Sequence, residues 1–288
     1  MLDEIAPGES RHQLARAVTA LFVPGNRPDR FDKALAAEAD VIVIDWEDAV
    51  APDQKMDARA HTLKWILTHP KVRNRVTIRV NASDTRDHSI DLEVLAGLRD
   101  QLPGDFPAVM LAKSETPEAL ARLVNLAGSA IAVCALIESV LGLNMVKILA
   151  AVPGVERLAF GALDFSLDAG MDPDPDVMAF ARQQIVLASR LAGIQAPLDS
   201  PETTISNYEA AYQAAIAAKR YGMTGKLCIH PNQVEPTRRG FSPTLEQIAW
   251  AKSVTGAGLN ATQVGGKMVD RPVIERARQI LKLQEGSK

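Results

Sequence analysis

The chain has 288 residues, 47% apolar and 23% charged, with a formal net charge of −3. That average composition indicates a globular protein large enough for one big α/β domain or two ordinary ones. Interspersed charge of both signs excludes a nucleic-acid or anionic-membrane surface, and the longest apolar runs, such as IAVCALI at 131–137, are too short to span a bilayer.

In chain order, the acidic, polar start MLDEIAPGES does not resemble a secretory or transit signal. Cys134 and Cys228 lie far apart in strand-like segments and read as buried, reduced thiols, so the expected location is the cytoplasm. Eight runs read as strands: TALFVP, DVIVID, RVTIRVN, AVMLAK, IAVCALIE, RLAFGALD, IQAPLD and KLCIHP. Several are continuously apolar, as strands covered on both faces are. Between them lie segments of helical period. In DVMAFARQQIVLASRLAG, Val177, Ala181, Ile185 and Ala188 recur at helical spacing and Gly193 follows as a stop. Eight strands each followed by a helix predict an α/β fold, a (β/α)8 TIM barrel with a C-terminal helical extension. A doubly wound sheet is the competitor, but PGNRPDR after the first strand lacks the G-x-G-x-x-G spacing of a phosphate turn. FSPTLEQIAWAKSV reads as the last barrel helix, so residues 1–255 form the catalytic barrel. The tail from 256 to 288, with its helix RPVIERARQILKL, reads as an appendage carrying Asp270.

Most predicted strands end in polar residues: Asp45 with Glu47 and Asp48, Arg79 with Asn81, Lys113, Glu138, Asp164, Asp199 and His230. Strand C-termini converge on one face of such a barrel, where active sites form. Glu138 and Asp164 come from consecutive strands, roughly 5 Å apart. Two carboxylates with water in the remaining positions suit Mg²⁺; the alternative is that each pairs with a basic neighbour such as Lys113. The five histidines show no zinc-ligand spacing. Arg79, inside a strand, either pairs with a local acid or offers its fork to a substrate carboxylate. No nucleophile elbow is present, and Lys113 is the candidate for a Schiff base. In GGKMVDRP, Asp270 reads locally as a helix cap, with Pro272 in the first turn and Gly265 and Gly266 before it.

The motifs LFVPGNRPDRF, IDWEDAV, IRVNA, LAKSE, IESVLGL, FGALDFSLDAG, GKLCIHPNQV and GGKMVDRP occur in one order from about Val18 to Leu283. Together they resemble the citrate lyase beta-chain-like family of the HpcH/HpaI aldolase/citrate lyase superfamily, close to malyl-CoA and citramalyl-CoA lyases. The resemblance implies that Glu138 and Asp164 ligate Mg²⁺ and that Arg79 binds substrate, with Lys113 beside it. It implies that Asp270 is the acid–base residue on a lid over a neighbouring subunit's site, and that Asp45 and Glu47 support catalysis near the metal. It further implies a homo-oligomer, trimer or hexamer, acting on a CoA thioester and a 2-oxoacid. The expected reaction is Mg²⁺-dependent retro-Claisen cleavage of a malyl-CoA, methylmalyl-CoA or citramalyl-CoA type substrate. Alternatives are a citrate lyase subunit acting on a carrier-protein thioester, a metal-dependent pyruvate aldolase, a malyl-CoA thioesterase and a non-catalytic barrel. Ala112 stands where the family commonly has proline, and APLDSPETT departs from its usual segment after the seventh strand.

Overall fold

The computed structural model describes residues 12–127, 131–256, 263–264 and 267–286. In chain order its elements are β1 (Thr19–Pro24), α1 (Phe31–Ala36), β2 (Val41–Asp45), α2 (Lys55–Thr68), β3 (Val76–Val80), α3 (Arg86–Gln101), β4 (Ala108–Leu111), α4 (Pro117–Ala127), β5 (Val133–Ile137), α5 (Val140–Ala150), β6 (Val155–Phe160), α6 (Ala162–Ala169), α7 (Ala179–Ala192), β7 (Gln195–Asp199), α8 (Tyr208–Tyr221), β8 (Gly225–Cys228), α9 (Val234–Phe241) and α10 (Leu245–Gly256). A short antiparallel pair, β9 (Gln263–Val264) and β10 (Lys267–Met268), then leads to α11 (Arg271–Gly286).

Strands β1 to β8 pair in parallel, each with the next, and β8 closes on β1. This is the (β/α)8 barrel the strand count predicts. Its apolar residues divide between two layers because strand side chains alternate. Ala20, Val43, Met110, Cys134, Leu136, Ala159, Leu198 and Leu227 belong to the cluster that fills the barrel. The larger cluster, including Ile42, Ile44, Ile78, Val109, Leu158 and Ile185, packs strands against helices. Arg157, 1% exposed on β6, seals the barrel floor. It donates to the carbonyls of Leu14, Ala17 and Ala196 at 2.8, 2.6 and 2.8 Å, and to Thr224 Oγ1 at 3.0 Å. Burial lowers its pKa to about 10, which still leaves the guanidinium charged at neutral pH.

Three local expectations change. Strand β6 ends at Phe160, and Ala162, Leu163 and Asp164 begin α6, so Asp164 reaches the mouth from a helix rather than a strand. Helix α7 begins at Ala179; Ala181, Ile185 and Ala188 are buried as expected, but Val177 precedes the helix and is exposed. The helix that follows β8 is α9, missed because Pro236 and Gly240 hide its short period. Residues Ala251 and Val254 of α10 pack instead with Val269, Ile274 and Ala277 in a small separate core. Among the described residues no helix is long and apolar enough to cross a membrane.

Candidate active site

The cleft lies two residues beyond the apolar layer that fills the barrel. Stepping by two from Ala20, Val43, Thr77, Leu136, Ala159, Leu198 and Leu227 gives Phe22, Asp45, Arg79, Glu138, Gly161, Ser200 and Ile229, and all seven line it. Strand alternation therefore turns one residue from each of seven strands, all but β4, into a cleft of about 160 Å³. Leu163 and Asp164 join it from the first turn of α6, and Ala49, Leu136, Pro201 and Leu227 complete the lining.

On one wall, Asp45 and Arg79 are direct register partners on β2 and β3. Arg79 Nε and Nη2 donate to the two Asp45 oxygens at 2.7 and 2.6 Å. Asp45 also accepts the backbone N–H groups of Glu47 and Ala49 at 2.9 and 3.0 Å. Its carboxylate is thus committed to orienting Arg79. Glu47 joins Arg79 Nη1 at 3.0 Å to Lys113 Nζ at 2.6 Å. The Arg79 guanidinium lies 4.9 Å from the centre of the Phe22 ring, a cation–π contact. Burial works against the Arg79 charge, and Asp45 and Glu47 more than offset it, so its pKa is raised. Burial opposes the charge on Lys113 too, yet its bond to Glu47 holds its pKa above the ordinary lysine value. A lysine protonated in this way is no imine-forming nucleophile.

Facing that wall is Glu138, 2% exposed at the end of β5. Lys113 adopts a left-handed backbone, φ 45°, and this conformation aims its N–H at Glu138 Oε1, 2.7 Å away. The other oxygen lies against Gly161: a Cβ built there would sit 2.6 Å from Glu138 Oε2. Burial first, then the charges of Glu47 and Asp164, push the Glu138 carboxyl up to about 8 against the opposing pull of Arg79. A buried acid beside further acids lacks positive charge, and Asp164 lines the same cleft. These residues fit a divalent cation held by two carboxylates with water at its other positions. That donor set is the one Mg²⁺ favours. Among the described residues no group of three or more His, Cys, Asp or Glu forms a cation site. A fully protein-ligated metal centre is therefore not what these residues build.

Comparison with known proteins agrees with this geometry. Residues 18–231 match the HpcH/HpaI aldolase/citrate lyase family. The chain belongs to this family. It is 34% identical over 272 residues to a citrate lyase subunit beta-like protein of Mycobacterium tuberculosis, covering 91% of this chain and 93% of that one. It is 32% identical to the L-malyl-CoA/beta-methylmalyl-CoA lyase of Cereibacter sphaeroides over 92% of this chain and 93% of that one. Among solved structures, CitE of Mycobacterium tuberculosis in complex with magnesium, acetoacetate and coenzyme A superimposes with a TM-score of 0.80 at 32% identity. The match covers 95% of this chain and 99% of that one. The resemblance read from the motifs is borne out, and the names of the family and its relatives are those of lyases.

In this member of the aldolase/citrate lyase family, six of the seven site residues read from the sequence come together: Asp45, Glu47, Arg79, Lys113, Glu138 and Asp164. Asp270 does not join them. It is exposed, it is absent from the cleft lining, and its Oδ1 accepts the Val273 N–H at 3.3 Å as the cap of α11. Gly265 and Gly266 lie outside the described residues. Two polar strand ends also belong elsewhere. Asp199, one residue out of step with Leu198, is buried between Arg182 and Lys226 at 2.8 Å each. His230 accepts the Asn232 N–H and caps a short turn. Sequence reasoning passed over Phe22, Gly161, Ser200 and Ile229. The two-residue step from each buried strand would have found all four.

Proposed function

We propose that this chain is a Mg²⁺-dependent carbon–carbon lyase that reversibly cleaves a 3-hydroxy-3-carboxyacyl-CoA of the malyl-, methylmalyl- or citramalyl-CoA type. Its products are an acyl-CoA and a 2-oxoacid. The observation that carries the reading is the placement of Glu138 and Asp164 opposite the braced Arg79, with residue 161 bare beside Glu138. Glu138 and Asp164 would hold the metal, which would supply Lewis-acid charge to the substrate's oxygens. Arg79 keeps two of its five N–H groups free of Asp45 and Glu47 and directs them at the oxygen that becomes the product carbonyl. Asp45 and Glu47 prevent that guanidinium from turning away.

As the C2–C3 bond breaks, its electron pair passes to the thioester as an enolate, and the hydroxyl proton passes to solvent water as the 2-oxoacid carbonyl forms. A proton is then needed at carbon. Asp270 supplies it, or removes it in the condensation direction. The position of Asp270 at the cap of α11, outside its own chain's cleft, suits action on the cleft of a second copy in a homo-oligomer. A closed cover of this kind keeps water from quenching the enolate.

The test is a product assay of the purified full chain with malyl-, methylmalyl- and citramalyl-CoA, in Mg²⁺ and in excess chelator. Release of glyoxylate or pyruvate with free acyl-CoA, abolished by chelator, is expected. Turnover of none of the three, or free CoA as the main product, would replace this reading with the carrier-protein, free-acid or thioesterase alternative.

A further inference from the structure

Helix α6 carries Asp164 in its first turn, and its start is built under an unusual constraint. The residue before a helix ordinarily caps it with a side-chain oxygen that accepts a first-turn N–H. Here that residue is Gly161, and it cannot carry such a side chain, because Glu138 Oε2 occupies the space where a Cβ would stand. The acceptor comes from another strand. Ser200 Oγ, beyond the end of β7, accepts the Ala162 N–H at 3.1 Å.

Two features aim that hydroxyl. Ser200 follows Leu198 by two residues, so strand alternation turns it to the cleft, and it is 3% exposed there. Pro201 follows it and restricts Ser200 to extended backbone. Gly161 is itself tied to β5, its N–H donating to the Ile137 carbonyl at 3.0 Å. The first turn of α6 is therefore pinned on both sides, to β5 through Gly161 and to β7 through Ser200.

We propose that Ser200 is a positioning residue: by accepting the first N–H of α6, that of Ala162, from outside the helix, it fixes the first turn of α6 and holds Asp164 in register with Glu138 for the divalent cation. The inference rests on the metal-dependent reading above and adds to it a residue that touches neither metal nor reacting atoms. The APLDSPETT segment, where this chain departs from its family's usual pattern, is the segment that supplies this residue.

The experiment compares the full-length wild type with Ser200→Ala and Ser200→Thr, titrated with Mn²⁺ and followed by electron paramagnetic resonance. Amide hydrogen exchange over residues 161–166 is measured in parallel. Ser200→Ala is expected to weaken Mn²⁺ binding about 10-fold, the low end of the range for outer-shell partners of a metal ligand. It is also expected to speed exchange at the start of α6. Saturating Mg²⁺ should restore turnover, which a general packing defect would not allow. Ser200→Thr keeps the hydroxyl and should recover affinity to within about 3-fold, well inside the 10-fold scale of such contacts. A wild type that binds Mn²⁺ alongside a Ser200→Ala variant of equal affinity, or of unchanged exchange at 161–166, overturns this inference alone. A wild type that takes up no Mn²⁺ overturns the lyase reading and this inference together.

Discussion

Single atoms decide much of this site. Gly161 has an ordinary φ of −105°, so its backbone does not require glycine. Replacing such a glycine with alanine usually stabilises a protein by about 0.4–1 kcal/mol through the unfolded chain. Here the added Cβ would meet Glu138 Oε2 at 2.6 Å and Glu138 Cβ at 2.8 Å. Gly161→Ala is therefore expected to weaken Mg²⁺ affinity by about 10-fold or more, through the displaced ligand. Calorimetric titration reads that loss, and unaltered affinity would show that Glu138 tolerates the displacement. Asp270 separates two roles by charge alone. Asparagine caps a helix as well as aspartate does, so Asp270→Asn should hold stability within about 0.5 kcal/mol. The same change removes the group proposed to transfer the proton and should cut kcat by about 10²- to 10⁴-fold. Near-normal turnover in that variant would leave Asp270 as a cap and nothing more.

At the scale of elements, the barrel was legible because buried parallel strands declare themselves as apolar runs, VIVID being the plainest. Glu138 and Arg79 were legible for the converse reason, since a charge at such a strand's inner edge has few structural uses. Side-chain direction was harder to read. Asp199 and Ser200 are neighbours, and the charged one drew attention, but only Ser200 shares the inward face with Leu198. Asp164 was found as a residue but not as part of a helix, because a glycine and an alanine disguise the change from β6 to α6. The floor of the barrel left no sequence motif at all, since Arg157 binds carbonyls rather than acids. That floor gives a test of its own. Arg157→Met strips the carbonyls of Leu14 and Ala17 of their donor, at about 1–3 kcal/mol for each acceptor left unpaired, while the Ala196 carbonyl keeps Thr224 Oγ1 at 3.1 Å. A net loss of at least ~2 kcal/mol is expected from urea unfolding, with faster hydrogen exchange across residues 12–17. An unchanged midpoint would mean that the apolar layer above Arg157 closes the barrel unaided.

For the molecule as a whole, the cleft couples stability to pH and metal. The Glu138 carboxyl, pushed up to about 8 by burial, lies above its unfolded value near 4.5. Its contribution in the metal-free protein is fully present below pH 4.5 and is lost as pH rises through about 8, because the folded chain must then carry the buried charge. A cation at Glu138 removes that penalty and displaces the proton. Mg²⁺ at a fixed concentration should therefore raise Tm more at pH 8.5 than at pH 6. The reference magnitude is about 2.7 kcal/mol at 100 times Kd. Differential scanning fluorimetry across that range checks it, and a metal effect independent of pH would show Glu138 to be ionised before the metal arrives.

Among the described residues the sealed floor also makes the barrel a cup with one opening, and a cup imposes a queue. On the lyase reading proposed above, the cavity of about 160 Å³ takes the reacting head of the thioester and the long coenzyme stays at the rim. With Arg157 and the Leu14–Ala17 segment shutting the far end, whatever lies deepest leaves last. In cleavage the acyl-CoA should depart first and the 2-oxoacid second. Product inhibition should then be competitive for the 2-oxoacid against substrate and mixed for the acyl-CoA, and the reverse pattern would mean the small product has another way out.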